Sequence, residues 1–95
     1  MTQHDGVKMV MQGNLDVHTV PVLFATGLKH LASEDLQVDF SRVETVDSAA
    51  VAMLLGWARA AQRDKRSLQL VGLPDDLLSL ARLYGVDDLL PRQTG

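Results

Sequence analysis

Apolar and polar positions along the chain change period several times, and each change marks an element. Lys8-Met-Val-Met11 reads as a short strand ending at Gly13, and Asn14-Leu-Asp16 as a second short extended piece or a turn. Val20, Leu23, Phe24, Leu28 and Leu31 keep helical spacing. Thr19 stands where an N-cap belongs, and Pro21 falls in the first turn, where a missing N–H costs little. Gly27 weakens this helix by about 1 kcal/mol relative to Ala without overturning it. Leu36-Gln-Val-Asp-Phe40 alternates as a strand does, with Asp39 out of place on it. A polar turn over Ser41–Val46 leads to Asp47-Ser48 and a second helix from about Ala49 to Arg63, whose basic end suits the helix dipole. Ser67–Val71 is another strand, closed by Gly72. Leu73-Pro74-Asp-Asp76 opens a third helix, Leu77 to about Tyr84, with Gly85 as its stop. Val86–Leu90 is a last short strand or an ordered tail. Strands alternating with helices predict an α/β fold, a four- to five-stranded mixed sheet covered by three to four helices, in one domain spanning residues 1–95.

The second helix is the informative element because it is apolar on nearly every side. At about 100° per residue, Val51, Leu54, Leu55, Ala58 and Ala61 share a face suited to the core. The other face carries Ala49, Ala52, Met53, Gly56, Trp57 and Ala60, with Arg59 and Arg63 at its edge. Ala52, Gly56 and Ala60, one turn apart, form a smooth groove beside Met53 and Trp57. A helix apolar all round is either sandwiched in a core or bound by a partner. A chain this short has few elements to cover a second face, which favours a partner surface made of Asp47, Ser48, Ala49, Ala52, Met53, Gly56, Trp57, Arg59 and Ala60.

Composition narrows the chemistry. The 95 residues are 46% apolar and 22% charged, an ordinary globular balance. There is no cysteine, which removes disulfides and thiolate metal sites. The net charge of −3 gives no footing for a nucleic-acid partner. No apolar run is long enough to insert in a bilayer, and the N-terminus is polar, so a cytoplasmic protein is expected. His4, His18 and His30 have no ligand spacing, so no metal is expected. Nor is a cofactor, since Gly-rich phosphate loops are missing. Ser48 sits at a helix N-terminus that favours an anion, but it has no nucleophile elbow and no histidine near it in sequence. Asp and Ser are also the preferred N-cap residues. No enzyme is expected.

Gly13-Asn-Leu-Asp16 with Thr19, then Val38–Ser48, then an Ala/Gly/Leu-rich helix, resembles the STAS domain, the family of anti-sigma factor antagonists. The resemblance covers almost the whole chain. It implies a sheet backed by helices on one side, and it places Ser48 on the position phosphorylated in the antagonist branch. The run Leu80-Ala-Arg-Leu-Tyr84-Gly-Val-Asp-Asp-Leu-Leu90-Pro-Arg92 is similar to the ending of STAS subunits of bacterial ABC-type phospholipid transporters. That likeness implies a non-catalytic subunit docked by the Ser48 helix on the transporter's ATPase subunit. The site would be the cytoplasmic face of the inner membrane, in support of outer-membrane lipid asymmetry. The alternative it leaves is an antagonist switched by phosphorylation of Ser48. The same apolar strip is also a candidate surface for self-association of the isolated chain, whose oligomeric state the sequence leaves open.

Overall fold

A computed structural model describes residues 6–86. The elements alternate without exception: β1 (Val7–Leu15), α1 (Val20–Leu31), β2 (Leu36–Val46), α2 (Ser48–Asp64), β3 (Leu68–Val71) and α3 (Asp75–Leu83). The strands form one parallel sheet in the order β1-β2-β3.

Register explains which side chains reach the core. Met9, Val38 and Leu70 lie in one row across the sheet, and Val7, Leu36 and Leu68 in another. Leu36, Val38, Phe40, Leu68 and Leu70 are buried, and so are Met11 and Leu15 further along β1. The intervening rows, Lys8–Gln37–Gln69 and Val10–Asp39–Val71, point to the opposite face. Parallel sheets usually have both faces covered. Here the second face is lined mainly by polar side chains, with Val10 half exposed among them. Asp39, anomalous in sequence, belongs to that open face.

The expected four to five mixed strands are three parallel ones among the described residues. One merge and one candidate outside the described residues account for the difference in number, and an extension of β2 changes its length. Lys8–Met11 and Asn14–Asp16 are not separate pieces. Strand β1 runs through Gly13, whose φ of +78° is cheap only for glycine. The expected turn at Ser41–Val46 is also strand. Here β2 advances from Asp39 to Arg42 while β1 advances only from Val10 to Gln12, and a second extra residue falls between Val43 and Thr45. Such bulges break strict alternation, so the period-2 signal fades although pairing continues. The Thr45 hydroxyl donates to Asn14 Oδ1 at 2.7 Å across this irregular stretch. The Val86–Leu90 candidate lies outside the described residues apart from Val86, whose amide donates to the Ala81 carbonyl after α3.

The helices start and stop close to where their sequence signals stand. Thr19 is at the α1 N-cap, but its hydroxyl donates to the Asn14 carbonyl at 2.8 Å. The amides of His18 and Thr19 are taken up by Asp16 Oδ1 instead. Gly85, with φ +70°, ends α3. Side chains from the sheet and all three helices, with Trp57 and Phe40 the largest of those fully buried, form one core.

Candidate docking surface at the start of helix α2

The residues leading into α2 are pinned at the end of the sheet. The Asp47 amide donates to the Leu15 carbonyl at 3.1 Å, which ties the end of β2 to the end of β1. Asp47 is the N-cap, in extended conformation, and its Oδ1 accepts from the Ala49 amide at 2.8 Å. The Ala50 amide turns back to the Asp47 carbonyl at 3.0 Å. Ser48 therefore does not cap the helix. It is the first helical residue, exposed, with a hydroxyl that takes no part in the capping bonds. Such a hydroxyl is open to a modifying enzyme or a partner. Among the described residues, no side chain is recorded as hydrogen-bonded to it.

The rest of the expected surface divides. Trp57, Met53 and Ala60 are buried, at 0%, 1% and 3% exposure. The physical reason is α1, which lies across that side of α2. The Trp57 indole N–H donates to the Phe24 carbonyl at 3.0 Å, and the ring rests over Gly27, where any Cβ would collide with it. In return Phe24 sits over Gly56, and a Cβ there would come within 2.6 Å of its ring. The two helices thus exchange an aromatic ring for a glycine notch in each direction. Gly56 serves this packing and not an open groove. The expectation that Met53 and Trp57 form an outward ridge is overturned, and the sandwiched reading holds for that side.

What stays outside is a narrower strip. Ser48, Ala52 and Arg59 are exposed, and Asp47, Ala49 and Gly56 are half buried. Leu55, expected on the core face, packs against the core but is only half buried; with exposed Gln62, which the sequence reading missed, it completes the strip. The missed signal was polarity. At about 100° per residue, Ser48, Arg59, Gln62 and Arg63 cluster on one side of α2. That cluster is the centre of the outward face and not its edge. Exposed Val17 and Val22, at 65% and 70% exposure, stand at the start of α1, the helix that follows the Leu15 end of β1. Among the described residues no group of His, Asp or Glu could hold a metal ion, and no helix is long and apolar enough to cross a membrane.

Three comparisons bear on this geometry. A family model described as "Mlab, STAS domain" matches residues 1–91. The anti-sigma-B factor antagonist of Staphylococcus aureus is 28% identical over 91 residues, covering 94% of this chain and 84% of the relative. That of Staphylococcus epidermidis is 25% identical over 92 residues, covering 95% and 85%. Among solved structures, the anti-sigma factor antagonist SpoIIAA in its unphosphorylated form superimposes with a TM-score of 0.75 at 20% identity, over 99% of this chain and 84% of that one.

Proposed function

The chain belongs to the STAS domain family, and from that premise we propose that it is a non-catalytic regulator that docks a partner protein on the outward strip of α2. The observation carrying this reading is Ser48, exposed and outside the cap, at the head of a strip that continues through Ala52, Leu55 and Arg59. A phosphate on Ser48 would add about −2 charges beside Asp47. A partner seated over Ala52 would then meet a strongly anionic edge.

The relatives with a stated role, the staphylococcal antagonists, support the switched form of this reading. In it the partner is an anti-sigma factor, and phosphorylation of Ser48 releases it. A second reading is favoured by the description of the matching family model and by the Leu80–Arg92 ending. There the partner is the ATPase subunit of an ABC-type phospholipid transporter, and Ser48 is an unmodified contact. The Met53–Trp57 ridge supports neither, since it is consumed inside the fold.

Ala52→Arg tests the common surface, because Ala52 is exposed and a charge there leaves the core intact. Buried against a partner, the unpaired charge should cost several kcal/mol of binding, about 3–5 by analogy with broken buried pairs. The chain should lose its partner when purified from its own bacterium, while wild type retains an anti-sigma factor or an ABC ATPase. The identity of that protein and the intact mass at Ser48 separate the two readings. A folded Ala52→Arg variant that keeps wild-type stoichiometry rules out this surface.

A further inference from the structure

Strand β1 offers a surface of another kind, its own backbone. Among the described residues it is an edge of the sheet, with β2 on one side only. Along a strand the N–H and C=O of one residue point to one side and those of the next residue to the other. The Val7 amide donates to the Asp35 carbonyl just before β2, and the Leu15 carbonyl accepts from Asp47 just after it. Odd-numbered residues of β1 therefore bond inward, and Lys8, Val10, Gln12 and Asn14 turn their backbone groups outward. The Asn14 carbonyl is already taken by the Thr19 hydroxyl at 2.8 Å. Lys8, Val10 and Gln12 remain, all exposed. Proteins blunt such edges with proline, charge, short strands or bulges. Here the strand has nine residues, no proline and one charge, and the extra residues of the bulges lie on β2.

Alternating donors and acceptors of this kind are matched by another strand, and the side chains say which one. An antiparallel copy of β1, related by a twofold axis at Val10, sets Val10 against Val10 and Lys8 against Gln12 on either side. All three open residues are then used, each pair exchanging both of its hydrogen bonds. No other register does this. An axis at Lys8 opposes like charges, and an axis at Gln12 sets Val10 against the occupied Asn14. An axis at Met9 puts Gln12 against Gly6, outside the strand, and an axis at Met11 puts Lys8 against Asn14. In the Val10 register half-buried Met9 of one copy also meets Met11 of the other on the core side. Twofold pairing of one patch with itself is the commonest closed association. We propose that β1 is an interface with a second copy of this chain, antiparallel and edge to edge about Val10, so that the two sheets run on as one. This pairing does not depend on the Ser48 strip, which lies on α2.

The test follows the full chain through a concentration series. Sedimentation should show monomer passing to dimer, and solvent exchange of the Lys8, Val10 and Gln12 amides should slow as the dimer forms. The Val7 and Met9 amides, which bond inward, should be slow throughout. In a mixed-label dimer a cross-peak between the Met9 and Met11 α-protons of different copies fixes the register. Val10→Lys sets like charges across the axis and should weaken the dimer about tenfold. Gln12→Glu sets a carboxylate against Lys8 at both ends and should tighten it several-fold, a gain lost in about 1 M salt, where the Debye length is ~3 Å. Both positions are exposed, so the fold accommodates either change. Ser48→Asp should leave the dimer unchanged, so failure of the α2 strip and failure of the β1 edge read differently. A chain that stays monomeric up to its solubility limit overturns the proposal. So do Lys8, Val10 and Gln12 amides equally protected at every concentration, which identify a segment of the chain's own as the occupant. A dimer indifferent to Val10→Lys and Gln12→Glu uses another surface and overturns it too.

Discussion

Helices α1 and α3 differ in how tightly the fold holds them. Helix α1 is keyed to α2 by shape: Gly27 accepts Trp57, Gly56 accepts Phe24, and the indole N–H fixes their offset through the Phe24 carbonyl. Helix α3 buries Leu77 and Ala81 and leaves Leu83 and Tyr84 in solvent. Apolar content alone does not separate the two. Small residues opposite large ones mark a surface closed by the fold, whereas large apolar residues with no notch facing them mark a surface left open.

Breaking the keyed side should give the largest effects. Trp57→Ala removes the largest buried side chain and should cost about 3–5 kcal/mol, read from urea denaturation. Gly27→Ala is the sharper case. In an exposed helix the change would stabilise by about 1 kcal/mol, but here the new methyl collides with the indole, and overpacking should reverse the sign by ~1–3 kcal/mol. On α3, Leu83→Ser should stay within about 0.5 kcal/mol of wild type. A stabilised Gly27→Ala, or an α3 variant as damaging as Trp57→Ala, would erase the contrast between the two helices.

The same contrast shows how much the sequence disclosed. Residues 20–31 were legible as α1 to the residue, because Thr19, Pro21 and the 3.6-residue spacing agree. The boundaries of α2 and α3 were legible within two residues, since capping and stop signals are local. The extent of β1 and β2 was not, because bulges shift the alternation by one residue while the backbone ladder continues. The outward side of α2 was half legible. Ser48, Ala52 and Arg59 were correctly placed outside, but Met53 and Trp57 were assigned to the wrong side. A row of small residues next to a Trp looks the same whether a foreign helix or the chain's own α1 fills it. Only Gly27, spaced to lie beneath the indole, distinguishes the two, and in the sequence it read merely as a helix weakener.

Moving from the keyed interface to the head of α2, the expected effects shrink. Asp47→Ala removes the side chain that accepts from the Ala49 amide, and loss of such a cap should cost about 1 kcal/mol. Ser48→Ala removes no capping bond and should change stability by no more than ~0.5 kcal/mol. Paired thermal melts of the two variants decide it. If Ser48→Ala proves as destabilising as Asp47→Ala, Ser48 shares the capping role and is not free for a partner or a phosphate.

The smallest effect belongs to the open face of the sheet, where neither helix reaches. The Ser41 amide donates to Asp39 Oδ1 at 2.8 Å. Bonding from the Ser41 backbone and hydroxyl, with smaller help from Lys8 and Arg42, holds the Asp39 carboxyl below its ordinary value of 3.8. A group whose folded pKa is depressed contributes stability above its unfolded value and loses it as pH falls through the folded one. Asp39 should therefore support the fold fully at neutral pH. Its contribution should fade only below about 3.8, the unfolded reference. Asp39→Asn cannot titrate, so its urea midpoint should fall less steeply than that of wild type as pH is lowered past that point, and the two curves should converge. Curves that stay parallel there would show that the Ser41 bonds do not favour the charged carboxylate, and that the open face adds nothing to acid sensitivity.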